Sequence, residues 1–311
     1  MRTQPIGRTG LVSTRLAYGC WRLVGTMDPA EVTPDREAAG RRAVAAAVDA
    51  GYTLFDHADI YGRGVCERVF GDALRDMPGV RDRVLLATKC GIVLPAPGVR
   101  HLYDSSPGHI VRSCEASLKR LGTDRVDLYQ LHRPDLLMDP AAVAAAFDQL
   151  RQQGKARFFG VSNFPPTFTA ALQKACPFPL AVNQVEMHLA RLDPLYDGTI
   201  DQCLAEGMTP LAWSPLGGGV LGDDSAAEAA HPRASVLKAL HHELDAVAAA
   251  HGVKRSTIAL AWLLAHPAGV IPIVGSIDPV RIRAAAAAAD VTLTRDDWYR
   301  LLVAARGEPL P

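Results

Sequence analysis

The stretch Leu16-Ala17-Tyr18-Gly19-Cys20-Trp21-Arg22 decides between two folds. A short apolar run of strand character ends at a single glycine, followed by Cys-Trp-Arg. An open, doubly wound sheet usually carries a GxGxxG phosphate-binding turn at this point, and none is present. Working outward, the same kind of run recurs at Thr53–Asp56, Val84–Thr88, Val126–Leu131, Arg157–Val161, Ala181–Val185, Thr209–Ala212 and Val270–Val274. Between these runs lie helical segments at Arg36–Ala50, Pro107–Leu121, Pro140–Gln153, Pro165–Ala175, Leu195–Glu206, Ser256–Ala265 and Pro279–Ala288. Asp139 before Pro140, and Gly51, Gly122 and Gly154 after their helices, are start and stop signals. Eight strands alternating with helices predict an α/β fold, a single (β/α)8 TIM barrel forming one domain over residues 1–311. Met1–Arg15, with turn signals at Gly7 and Gly10, predicts an N-terminal hairpin across the barrel floor. Ala234–Gly252 and Arg295–Arg306 predict two extra helices, and the Gly/Asp/Ala-rich stretch Gly217–Pro232 a mobile loop.

Composition narrows the function. Thirty-three Lys and Arg balance 33 Asp and Glu, and the sequence pI is about 7.1. Nothing here provides the basic field that dominates nucleic-acid binding or attraction to an acidic membrane. No window approaches the ~18 apolar residues of a membrane span, and the N-terminus lacks a signal peptide's apolar core. The cysteines at positions 20, 66, 90, 114, 176 and 203 stand apart, with neither CxxC nor zinc-finger spacing. They predict reduced, buried thiols and a cytoplasmic protein. No surface patch argues for oligomerisation, so a monomer is expected.

In a barrel of this kind, reactive side chains sit at the C-terminal ends of the strands. That rule selects Asp56-His57-Ala58-Asp59-Ile60-Tyr61-Gly62 after strand two, Lys89 after strand three and His132 after strand four. Singly, each has an ordinary reading. Asp56 could cap a helix, Lys89 could be a solvated surface lysine, His132 a structural hydrogen-bonding residue and Tyr61 a packed aromatic. Together, at adjacent strand ends, they suit proton transfer to a carbonyl oxygen. A free tyrosine titrates near ~10, and a lysine ammonium beside it favours the tyrosinate. A carboxylate keeps that lysine charged, and a histidine can hydrogen-bond a carbonyl oxygen. Reduction also needs a hydride source, for which nicotinamide is the usual cofactor. A metal-dependent barrel built on His57, Asp59 and His132 is a rival, but no further His/Asp pair completes a ligand shell.

At these residues the sequence resembles the aldo-keto reductases. Phe55-Asp56-His57-Ala58-Asp59-Ile60-Tyr61-Gly62 is similar to the family's FDTAxxYG element, with His57 in place of the commoner Thr. Thr88-Lys89-Cys90-Gly91, Leu131-His132-Arg133-Pro134-Asp135, Gly160-Val161-Ser162-Asn163-Phe164 and Asn183-Gln184-Val185 follow in family order. The resemblance implies an NADP(H)-dependent oxidoreductase that reduces aldehydes or ketones, with NAD(H) use left open. It implies Tyr61 as general acid, Lys89 as its pKa partner, Asp56 as the partner of Lys89, and His132 as the group orienting the carbonyl. It also implies cofactor contacts at Gly19, Cys20, Trp21 and Asp56, with Ser162, Asn163 and Gln184 on the nicotinamide carboxamide. Trp213 would stack on the ring, and the loop containing Ser214, Pro215, Leu216, Gly217 and Gly218 would fold over the pyrophosphate. Gly275, Ser276 and Arg281 would complete the adenosine end.

The departure from the family pattern is at that end. The run Gly275-Ser276-Ile277-Asp278-Pro279-Val280-Arg281 has no basic residue before Arg281, and Asp278 adds a negative charge. Ala284 or Ala285 stands where the family uses Asn or Gln at the adenine. Weaker discrimination against NAD(H) is therefore expected. The substrate, a small-molecule carbonyl compound, would meet Trp21, Tyr61, Ile92 and His132, with His101, Tyr103 and Met187 as further wall residues. A nicotinamide-binding regulatory barrel with little turnover is the alternative.

Overall fold

The computed structural model describes residues 1–225 and 233–311. Residues 226–232, the later part of the expected Gly217–Pro232 loop, lie outside the described residues. The hairpin β1 (Thr3–Pro5) and β2 (Val12–Thr14) comes first. Then follow β3 (Ala17–Gly19), α1 (Pro34–Asp49), β4 (Leu54–Asp56), α2 (Val65–Arg75) and β5 (Leu85–Cys90). A small hairpin, β6 (Ile92–Val93) with β7 (Leu102–Tyr103), precedes α3 (Pro107–Leu121). Next come β8 (Val126–Leu131), α4 (Pro140–Gln152), β9 (Ala156–Ser162), α5 (Pro166–Ala175), β10 (Val182–Glu186), α6 (Thr199–Glu206) and β11 (Thr209–Trp213). The chain finishes with α7 (Ala234–His251), α8 (Arg255–Leu264), β12 (Ile271–Val274), α9 (Pro279–Ala286) and α10 (Arg295–Arg306).

Strands β3, β4, β5, β8, β9, β10, β11 and β12 pair in parallel and close into a barrel, β12 returning to β3. The chain is thus a (β/α)8 barrel with an N-terminal hairpin and two helices, α7 and α10, outside the repeat. Ile6 and Leu11 from the hairpin segment pack with Ala17, Leu54, Ala87, Leu128, Val182, Leu211 and Ile271 from the strands. That apolar plug fills the lower barrel. Side chains alternate faces along a strand. Two residues beyond the plug, the same inward faces carry Gly19, Asp56, Lys89, Gln130, Gln184 and Trp213. The polar layer therefore lies directly above the apolar one. Gly160 is inward on β9, where a Cβ would stand 2.5 Å from Val182 Cγ2 and 2.8 Å from its carbonyl oxygen, so no larger residue fits.

Three local differences from expectation have clear causes. Helix α2 was not among the expected helices. Its buried Cys66, Val69, Phe70, Ala73 and Leu74 recur at helical spacing, but left-handed Gly64 opens it without a polar side-chain cap. The helix expected at Leu195–Glu206 starts only at Thr199, because Gly198 at φ 86° interrupts it and leaves Asp193–Leu195 as a separate turn. The β6–β7 hairpin was also unforeseen. All six cysteines are free and buried. Among the described residues no helix is long and apolar enough to cross a membrane.

Candidate active site

The site is built around a charge. Lys89 is fully buried at the end of β5, and its Nζ donates to Asp56 Oδ2 (2.8 Å), the His57 carbonyl (2.7 Å) and Tyr61 OH (3.1 Å). Three acceptors match the three N–H bonds of an ammonium. Burial alone would lower the lysine pKa, but Asp56 and Tyr61 more than offset it, and the group is held above its usual value. Asp56 Oδ1 in turn accepts from Gln184 Nε2 (2.8 Å) across the barrel.

Tyr61 follows β4 in a tight segment with three left-handed residues in succession, Gly62, Arg63 and Gly64. Lys89 favours its ionised form, as expected, yet burial outweighs that pull and pushes the phenol up to about 12. Tyr61 is therefore a protonated phenol across the neutral range. The ring of His132 stands edge-on to it, 5.9 Å between centroids. Burial, then Lys89 and Arg133, hold His132 well below the usual histidine range, so it is neutral. A neutral imidazole offers one N–H donor.

A second polar line runs across the neighbouring strand ends. Asn163, left-handed at φ 59°, donates from Nδ2 to Ser162 Oγ (2.8 Å) and to the His132 carbonyl (3.3 Å). Its Oδ1 accepts from Trp213 Nε1 (3.0 Å), and Ser162 donates to the Gln184 carbonyl (2.9 Å). Ser162, Asn163, Gln184 and Trp213 thus form one connected set with His132 and Asp56. Beyond Trp213 the chain turns left-handed at Ser214, Gly217, Gly218 and Gly219, passing through Pro215 and Leu216. Gly217 backs onto the buried His188 ring, while Gly218 and Gly219 face open space.

The other expected positions fall around this set. Cys20 is buried, and its backbone N donates to the Asp56 carbonyl (2.9 Å). Trp21 is half exposed at the mouth. Ile92 lines a surface cleft of about 300 Å³ with Asp59, His109 and Arg120. Gly275 lies in the open turn after β12. The carbonyl of Ser276 accepts from Tyr18 OH (2.9 Å). Arg281 is largely exposed, 3.8 Å from Asp278 and 3.7 Å from Asp224.

The side chain of His57 does not join the site. Its ring points outward onto Phe70, 4.4 Å between centroids, and burial pushes it down to about 3. Among the described residues no group of three His, Cys, Asp or Glu side chains stands close enough to hold a metal ion. Two features went unread in the sequence. The carboxyl of Asp59 is raised to about 7 by burial and by Glu67. Gln130 lies in register with Lys89, and its side-chain amide is buried without a partner among the described residues. Its place two residues beyond Leu128 on the inward face was the available signal.

The sequence matches the model of the aldo/keto reductase family over residues 15–303. The chain belongs to this family. It is 42% identical to a 6-dehydroglucose reductase of Novosphingobium aromaticivorans, covering 98% of this chain and 96% of that protein. It is also 42% identical to the oxidoreductase YdhF of Escherichia coli over 85% of this chain and 86% of that one. Among solved structures, the glycerol dehydrogenase AKR11B4 of Gluconobacter oxydans superposes with a TM-score of 0.86 at 26% identity, covering 99% and 97% of the two chains. As an aldo/keto reductase, the protein is an oxidoreductase acting on carbonyl and CH–OH groups.

Proposed function

We propose that this aldo/keto reductase reduces an aldehyde to its alcohol with NADPH, as a single-domain, cytoplasmic monomer, with Tyr61 as the proton donor. The observation that carries the reading is the buried Lys89 ammonium, clamped by Asp56 and touching Tyr61 OH. Nicotinamide, when bound, supplies the hydride. The neutral His132 offers its N–H to the carbonyl oxygen, and Tyr61 passes its proton to that oxygen as negative charge develops there. Lys89 stabilises the tyrosinate left behind. The plug beneath excludes water from below.

The residues present suit the cofactor. The left-handed run from Ser214 to Gly219 leaves backbone beside open space, as a pyrophosphate cradle requires. Asn163 and Gln184 are candidates for the carboxamide and Trp213 for the ring, with Gly19, Cys20 and Trp21 at the rim. Gly275, Ser276 and Arg281 are the candidates for the adenosine phosphate. Asp224 and Asp278 compete there for the Arg281 guanidinium. A modest preference for NADPH over NADH follows. Arg281→Ala is expected to weaken NADPH binding by about 1–3 kcal/mol, the range of a charge-assisted hydrogen bond, and to leave NADH binding unchanged. Titration by tryptophan quenching measures both; an unaltered NADPH affinity removes Arg281 from the phosphate site.

Two relatives are named 6-dehydroglucose reductases, which makes that sugar aldehyde the first substrate to try. Steady oxidation of NADPH, followed by its absorbance with 6-dehydroglucose or a simple aldehyde, is the expected result. If the chain binds NADPH but oxidises none with any aldehyde, the reductase reading gives way to a nicotinamide-binding regulatory barrel.

A further inference from the structure

We infer that Arg133 reads the substrate, selecting aldehydes that carry acceptor oxygens, hydroxyl or carboxylate, on the carbons near the carbonyl. Arg133 follows His132 at the mouth of β8. Its guanidinium lies 5.9 Å from the centre of the Trp213 ring, which belongs to β11, three strands away in the barrel order β8-β9-β10-β11. The side chain therefore reaches across the mouth, on the same side as the Asn163 bridge from His132 to Trp213.

Arg133 is partly buried as a residue, and no described residue accepts a hydrogen bond from its guanidinium or pairs with its charge. Other partly buried arginines of this chain have acceptors within it: Arg120 at Glu67, Arg81 at Asp127, Arg255 at Asp245 and Arg15 at the Leu264 carbonyl. Glu186, at the end of β10 in register with Trp213, faces His188 instead (3.6 Å). Asp56 already balances Lys89. Arg133 is thus an uncompensated fork of donors one residue from the proposed carbonyl-orienting group. A guanidinium that a bound substrate shields from water needs acceptors, and its planar fork grips paired oxygens. An alkyl aldehyde would leave those donors unsatisfied, which costs binding. A polyhydroxylated or carboxylated aldehyde would satisfy them.

This inference rests on the reductase reading, and the test separates the two. Wild type, Arg133→Met and Arg133→Lys are assayed with NADPH on glyceraldehyde, succinic semialdehyde and butanal. The Met variant keeps much of the stem and removes the fork. In wild type, kcat/KM should favour the oxygen-bearing aldehydes over butanal at least tenfold. In Arg133→Met that selectivity should fall about 10–100-fold, chiefly through KM, as expected for loss of charge-assisted hydrogen bonds. Rescue by lysine on succinic semialdehyde alone identifies the carboxylate as the recognised oxygen, whereas a loss confined to glyceraldehyde identifies hydroxyls. An active variant with unchanged selectivity overturns the assignment, as does a loss of NADPH affinity that accounts for the whole effect. A wild type that oxidises no NADPH with any of the three overturns the reductase reading, and this inference with it.

Discussion

Tyr61→Phe will bind NADPH as tightly as the parent and lose between about 10²- and 10⁴-fold in kcat, the usual contribution of a positioned general acid. The substitution removes one oxygen from a buried network. Lys89 keeps Asp56 and the His57 carbonyl as acceptors, so the fold survives the change. The pH profile adds a second readout. With the phenol pushed up to about 12, the donor is protonated from acid through mildly alkaline pH. Reduction rates in the parent should therefore show no loss of this acid across the neutral range, and should fall only as pH climbs towards that value. The same sign holds for stability: a group whose folded pKa is raised favours the fold below its unfolded pKa, and that contribution is lost as pH rises through the folded one. Absorbance assays on both proteins test the rate claim. Equal turnover would move the proton donor elsewhere, with His132 the next group to replace.

Much of this site was legible because two periodicities coincide. The strand period of two places Asp56 above Leu54, Lys89 above Ala87 and Gln184 above Val182, so inward polar residues can be read from inward apolar ones. The rule that chemistry gathers at the C-terminal strand ends then picks out the same residues. What the sequence withheld is set by contacts distant in the chain. Tyr61 was expected to be made more acidic by Lys89, but the strength of desolvation at its ring depends on the whole barrel mouth. His57 stands next to Asp56, yet it faces Phe70 on the opposite side of the strand. One ion pair of Arg281 joins α9 to Asp224, and no spacing reveals such a contact. Arg133 could be seen as a neighbour of His132, but not as a side chain that reaches Trp213 without a counter-ion. Helix α2 was missed for a local reason. The glycines and Arg63 ahead of it read as loop, although the apolar spacing behind them is helical.

Lys89→Met carries the largest combined effect, because Lys89 serves both the fold and the proposed chemistry. Removing one partner of a buried ion pair costs about 3–5 kcal/mol, since the other charge is left without compensation. Here that charge is Asp56, buried and retaining only the Gln184 amide on its other oxygen. Urea unfolding near pH 8 should show a loss of that size. The deficit should hold at neutral pH and shrink at strongly alkaline pH. The lysine's folded pKa lies above its usual 10.5, so its contribution is complete below that value and fades above it. Turnover should fall at least as far as in Tyr61→Phe, because the tyrosinate formed on proton transfer would lose its stabilising cation. The double variant Asp56→Asn/Lys89→Met separates the two roles. With no charge left buried, most of the stability should return, while activity should not. A Lys89→Met protein as stable as the parent would mean that the amine is not a buried cation, and the proposed proton-transfer mechanism would lose its electrostatic basis. Recovery of turnover in the double variant would mean that the pair serves folding alone.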